Sequence, residues 1–214
     1  YGFEKTEKML ESFLKEKPTT IRIREYLVDK KAVLESLERQ QVTVEKAPYI
    51  ENAYYLKNYD YLPALEAFRM GTVQVQDVSS MLVGDIADPK EGEYVIDLCA
   101  APGGKTLCIA DKLKGTGRVD ARDISRSKTD LIRENAIRQS FLNVVVSEKD
   151  ASQLDSDSLE KADILIADVP CSGLGVIAKK PEIRNKEYQT LQGLPIIQRD
   201  ILENVSRYVK SGGA

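Results

Sequence analysis

The 214-residue chain contains no histidine, which excludes every catalytic scheme that takes its base or its metal ligand from imidazole. Cysteine is scarce: Cys99, Cys108 and Cys171 are odd in number and show no C-x-x-C spacing. Neither a disulfide framework nor a zinc site is expected, and a reducing cytoplasm is the natural setting. No run is long and apolar enough to span a membrane, and no basic-then-apolar leader is present, so no membrane or metal partner is expected. A net charge of -3 makes the surface as a whole a poor trap for polyanions, so nucleic-acid binding would rest on local patches or on parts not present. The chain starts at Tyr1 without an initiator Met and stops at Gly212-Gly213-Ala214, which suggests a fragment at both ends. Its length suffices for one medium domain, or for one domain with a small appendage.

What is present is organised around Tyr94-Val95-Ile96-Asp97-Leu98-Cys99-Ala100-Ala101-Pro102-Gly103-Gly104-Lys105-Thr106. A buried-strand pattern runs into a turn of small residues and then into the helical spacing of Thr106 to Leu113. Such a junction lets a ligand lie close to the backbone and offers it unpaired N–H groups, which suits a nucleotide-like cofactor. Two known fingerprints fail here: the dinucleotide pattern lacks its three glycines, and a P-loop would need glycine where Cys99 stands.

Before this stretch, a helix carries Met9, Leu10, Phe13 and Leu14 and is stopped by Lys17-Pro18. Thr19 to Tyr26 alternates Ile21 and Ile23 against Arg22 and Arg24 and predicts a strand. A helix over Lys31 to Gln40, strands at Gln41 to Glu45 and Ala53 to Lys57, and a helical turn or two at Leu62 to Phe68 complete a small α+β unit. Its charges cancel, with 12 basic and 12 acidic residues over 1–70, as suits a docking module. Gly71 marks the expected change of domain. Asp77 is placed to cap a helix bearing Met81, Leu82 and Ile86. Strands at Tyr94–Leu98, Gly117–Arg122, Val144–Glu148 and Ala162–Ala167 then alternate with helices at Thr106–Leu113, Lys128–Gln139 and Ser156–Lys161. This order predicts a parallel sheet with helices on both faces, closed by a helix from Leu194 to Val209.

In such a sheet, ligands bind beyond the carboxyl ends of the strands, where four carboxylates fall. Asp123 stands where an acid receives ribose hydroxyls, Asp150 follows the third strand and Asp168 ends the fourth, while Asp97 lies inside its strand and is placed to orient the loop. Any one of them alone would be an ordinary turn or cap residue. All of them around one glycine loop point to a site. Asp168-Val169-Pro170-Cys171-Ser172-Gly173-Leu174-Gly175 adds a cysteine in a loop over that end, and spacing alone leaves its reactivity open.

The Asp97–Thr106 block and the Asp168–Gly175 block, in this order, resemble the RNA cytosine-5 methyltransferases that use S-adenosylmethionine, and among them the bacterial small-subunit ribosomal RNA enzymes of the RsmB (Sun) type. Arg22 in its strand, Gly71 with Gln76-Asp77 and Ser80, and Lys179-Lys180-Pro181-Glu182-Ile183-Arg184 are also similar to that family. Arg24 departs from it, standing where such enzymes usually carry Asn. The resemblance implies an α/β fold: a Rossmann-like class I methyltransferase domain over 71–214, lacking its C-terminal strands, preceded by a ferredoxin-like α+β RNA-docking domain over 1–70. It implies S-adenosylmethionine held by Cys99, Ala100, Ala101, Pro102, Gly103, Gly104 and Lys105, with Asp123 at the ribose, Asp150 on the adenine side and Asp168 at the strand end. Lys128 is a weaker candidate for the cofactor side.

The implied reaction is methyl transfer to carbon 5 of a cytosine in 16S ribosomal RNA. Cys171 and Asp168 would be catalytic, Cys171 helping to break down a covalent adduct and Asp168 positioning the base. The attacking cysteine of this family resembles one in a Thr-Cys pair beyond Ala214, so the fragment is expected to be inactive, with its fourth strand left as an open edge. In DNA cytosine methyltransferases the Pro-Cys cysteine is itself the nucleophile, and both roles remain open for Cys171. Lys179, Lys180 and Arg184, with Arg22 and Arg24, are candidates for phosphate contact. A transfer RNA methyltransferase would share every motif, and a non-catalytic assembly factor that binds S-adenosylmethionine and RNA is the rival from another class.

Overall fold

The computed structural model describes residues 1–15, 18–187 and 191–214. Helix α1 (Phe3–Leu14) has no buried residue, so its apolar stripe faces outward. Its expected stop at Lys17 lies outside the described residues. Strand β1 (Thr19–Ile23), helix α2 (Lys30–Arg39), strands β2 (Thr43–Lys46) and β3 (Ala53–Lys57), helix α3 (Glu66–Arg69) and strand β4 (Val73–Val75) then follow the β-α-β-β-α-β order. Helix α2 starts where the Asp29 carboxylate accepts the Lys31 N–H at 2.9 Å, and its Val33 and Leu37 pack on Ile21, Ile23, Leu56 and Val73. The sheet is antiparallel, in the order β2-β3-β1-β4. Because β4 pairs with β1, the small sheet continues past the expected boundary at residue 70.

After helix α4 (Val78–Ala87) the chain alternates strand β5 (Tyr94–Leu98), helix α5 (Gly104–Lys112), strand β6 (Arg118–Asp123), helix α6 (Arg126–Arg138), strand β7 (Val144–Glu148) and strand β8 (Ile164–Ala167), and reaches helix α7 (Leu194–Val205). The second sheet is wholly parallel, in the order β7-β6-β5-β8. One face buries Val95, Val119 and Ile164 against Leu107 and Leu113, while the other packs Ile96 and Leu98 on Ile201, Val205 and Tyr208. Both faces are therefore covered, as parallel strands require.

Two expectations change. The stretch Ser156–Lys161 forms only a 3-10 turn at Ser156–Ser158, because the Ser158 hydroxyl donates to Asp155 at 2.6 Å and short polar side chains favour turns over helices. The outer edge of β8 is also not bare. Ala162 bridges Val209 in parallel, Leu165 donates to the Ala214 carbonyl at 2.8 Å and Ala214 donates to that of Asp163 at 2.9 Å. The chain's own last residues thus cover the first part of that edge, and the exposure expected there is reduced.

A buried polar seam joins the two sheets. Asp111 of α5 is 1 % exposed and accepts from Arg22 at 2.8 Å and from the Glu25 N–H at 2.7 Å, with the Arg24 guanidinium at 3.5 Å. Arg24 also lies 4.3 Å over the Phe141 ring, and Arg138 of α6 donates to the Phe68 carbonyl and to Gln74. Gly71 sits against α6 with φ 67°, and a Cβ there would fall 2.1 Å from the Arg138 carbonyl oxygen. No other residue fits that contact.

Candidate functional site

Strand β5 delivers the loop. Its Asp97, 1 % exposed, accepts the Thr106 hydroxyl at 2.5 Å, which ties the strand end to the first turn of α5 and matches the expected role of orienting the loop. The other carboxylate oxygen of Asp97 is buried with no partner. Burial pushes this carboxyl up to about 7, against the opposing pull of the Thr106 hydrogen bond and the charge of Lys105. Cys99 turns the chain with φ 55°, the Ala101–Pro102 bond is cis, and Gly103 caps α5 at φ 102°. The start of α5 has no side-chain cap, and Gly104 and Lys105 of its first turn line the cleft.

Two openings flank this loop and share Cys99. One, of about 170 Å³, is lined by Gln76, Ser80, Asp97, Pro102, Lys105 and Asp168. The other, of about 340 Å³, is lined by Asp123, Lys128, Asp150, Pro170 and Ile201 among others. Asp123, 3 % exposed at the end of β6, accepts from the Ala101 N–H at 3.0 Å and the Ile124 N–H at 2.8 Å, and Lys128 reaches it at 3.1 Å. Its Oδ1 receives both Ile124 and Lys128, whereas Oδ2 receives only Ala101 and keeps a further lone pair for a ligand hydroxyl. Asp150 accepts from the Ser152 N–H and hydroxyl, at 2.9 and 2.7 Å. The fold thus brings Asp97, Asp123, Asp150 and Asp168 around one loop, as the strand ends predicted.

Beyond β8, Asp168 forms an ion pair with Lys105 at 2.6 Å, and the loop continues through Pro170 to Cys171. Among the three thiols only Cys171 is exposed. Cys108 is buried, and burial together with the charge of Asp123 raises the Cys99 thiol to about 11, which leaves it a poor nucleophile near neutrality. Gln198 of α7 donates to the Pro170 carbonyl at 2.7 Å and Lys186 to that of Ser172 at 3.0 Å, which hold the loop from two sides.

The candidate phosphate contacts divide. Lys180 and Arg184 are exposed after the Pro-Cys loop, and Lys179 pairs with Asp77 at 3.0 Å. Asp77, expected as a cap, makes no side-chain cap bond. Arg22 and Arg24 are not surface groups: their side chains are 3 % and 11 % exposed and belong to the Asp111 seam, so they are unavailable to RNA. Sequence reasoning also gave no site role to Gln76, which is 6 % exposed on the cleft wall, although its place beside Asp77 and Ser80 was a signal for it. Among the described residues, no helix is long and apolar enough to cross a membrane, and no group of side chains could hold a metal ion.

A family model described as 16S rRNA methyltransferase RsmB/F matches residues 85–214. The probable ribosomal RNA small subunit methyltransferase B of Bacillus subtilis is 35% identical over 100% of this chain and 48% of its own length. Ribosomal RNA small subunit methyltransferase B of Yersinia pseudotuberculosis is 31% identical over 92% of the chain and 46% of its own length. The chain therefore spans about half the length of these curated relatives. Among solved structures, a methyltransferase homologue from Pyrococcus horikoshii superposes with a TM-score of 0.81 at 25% identity, covering 95% of this chain and 64% of that one. NSun6 from Pyrococcus horikoshii, solved with SFG, superposes with a TM-score of 0.89 at 19% identity, over 100% of this chain and 78% of that one.

Proposed function

Because this chain belongs to the 16S rRNA methyltransferase RsmB/F family and its cofactor is S-adenosylmethionine, we propose that its protein methylates carbon 5 of a cytosine in small-subunit ribosomal RNA. The observation that carries this reading is the placing of the Pro-Cys loop. Exposed Cys171 follows Asp168 and Pro170, which line the two openings beside the glycine loop. The residues fit the cofactor: Asp123 and Asp150 border one opening, and a bare helix start with an unpartnered carboxylate oxygen borders the other. Bound there, S-adenosylmethionine supplies an electrophilic methyl group on its sulfonium.

Carbon 5 of cytosine is a poor nucleophile until a thiolate adds to carbon 6 and makes the ring enamine-like. After methylation, a base removes the carbon 5 proton and the thiol leaves. Asp168, at the strand end, is suited to hydrogen-bond the base and hold it over the cleft, since Lys105 occupies only its Oδ2. Cys171 is suited to assist departure from the adduct, with attack by the cysteine that the family carries in a Thr-Cys pair. No such pair occurs in these 214 residues.

The test uses the protein extended to the length of its curated relatives, small-subunit ribosomal RNA and labelled methyl donor. Cys171→Ala is expected to accumulate a protein–RNA adduct stable to denaturant, and wild type is expected to yield 5-methylcytosine. Methylation lost with no adduct would make Cys171 the nucleophile. Product found only in transfer RNA would overturn the ribosomal assignment.

A further inference from the structure

Gln76 stands at the junction of the small sheet and α4, one residue beyond β4, and its side chain is almost wholly enclosed. Its carbonyl oxygen accepts from the Arg22 Nε at 3.3 Å. A guanidinium can only donate, so this contact fixes which end of the carboxamide is which. The NH2 end is therefore turned away from Arg22, and it is buried without a partner. It lies over Gly104, where a Cβ would be 3.8 Å from Gln76 Nε2, on the wall of the opening that also holds the unpartnered oxygen of Asp97.

Leaving a buried donor and a buried acceptor unmade is costly, and here the two residues that carry them line one cavity. The uncapped start of α5 adds N–H groups and a positive dipole end at the same place. This donor–acceptor pair with a positive helix end matches an α-amino acid zwitterion. Its carboxylate would meet the Gln76 amide and the helix start, and its ammonium the Asp97 oxygen.

We infer that Gln76 is a binding residue for the carboxylate of the cofactor's amino-acid end, with Arg22 as the positioning residue that aims it. The inference rests on the cofactor reading above and goes beyond it in assigning a discriminating role to a residue of the small unit. Arg22 is itself fixed by Asp111, so the seam between the sheets sets the donor's direction.

The test is a calorimetric titration of the protein with S-adenosylhomocysteine, with 5′-deoxy-5′-methylthioadenosine, which lacks the amino-acid end, and with decarboxylated S-adenosylmethionine set against S-adenosylmethionine. In Gln76→Glu, where Arg22 keeps an acceptor and the cleft gains a negative charge, S-adenosylhomocysteine is expected to bind at least tenfold more weakly while methylthioadenosine is unchanged. Wild type is expected to prefer the carboxylate-bearing ligand of the second pair by a similar factor, and Gln76→Met to weaken that preference, the helix start retaining part of it. Asp123→Ala, as a control, should weaken all four ligands together. Equal loss of both nucleosides in Gln76→Glu, or no preference for the carboxylate in wild type, overturns the inference while the cofactor reading stands. Wild-type protein that binds none of the four overturns both.

Discussion

At the scale of single residues, Asp97 carries the most testable physics. Its carboxyl is protonated in the folded chain up to about 7 because it is buried, whereas in the unfolded chain it ionises near the ordinary value of about 4. Between those values the folded state holds the extra proton, so this group's contribution to stability falls as pH rises from 4 to 7 and is flat above. Asp97→Asn removes the slope. The stability of the variant relative to wild type should improve between pH 5 and pH 7.5 by on the order of 2 kcal/mol, at about 1.4 kcal/mol per pKa unit. Urea unfolding at the two pH values measures it, and an equal difference at both would show that Asp97 is ionised in the fold. Sequence alone placed Asp97 inside its strand, one residue short of the end, and gave it an orienting role. It could not show that one oxygen has a hydrogen-bond partner and the other none, which depends on how strand β5 meets α5.

At the scale of elements, β5 and β7 lie at their expected limits, Tyr94–Leu98 and Val144–Glu148, because turn-forming residues bound each apolar run. Strand β1 shows where pattern reading stops. Alternation correctly separated Ile21 and Ile23 from Arg22 and Arg24, but a period of two says only that faces differ, not that the polar face meets water. The face carrying Arg22 is covered by α5, and the Asp111 that receives it lies 89 positions away. Removing that acceptor strands buried guanidinium charge, for which losses of about 3–5 kcal/mol are usual. Asp111→Ala should therefore lower unfolding stability by at least about 3 kcal/mol, and Asp111→Asn by less, since the amide still accepts from Arg22. Guanidinium titrations that found Asp111→Ala within about 1 kcal/mol of wild type would mean that water reaches the seam.

At the scale of the whole molecule, the two sheets share buried polar contacts through Arg22, Arg24, Asp111 and Arg138, so they should unfold together. Probes placed in β3 and in β7 are expected to report one coincident transition, and two separated midpoints would contradict the seam. The partition into a small α+β unit and a parallel sheet was legible from the order of elements, whereas the way they lock was not, because each half of the seam looks like an ordinary surface charge. The unpaired oxygen of Asp97 also bears on how this molecule exchanges protons with its surroundings. Near pH 7 its carboxyl carries roughly half a proton on average. An ammonium group settling beside it lowers its pKa, and that proton passes to the buffer. Heats of S-adenosylhomocysteine binding at pH 7 should therefore differ between phosphate and Tris, whose own ionisation heats differ, and should coincide in Asp97→Asn. A cleft that takes up a cation by releasing part of a proton gives a chain without histidine a titrating group near neutrality.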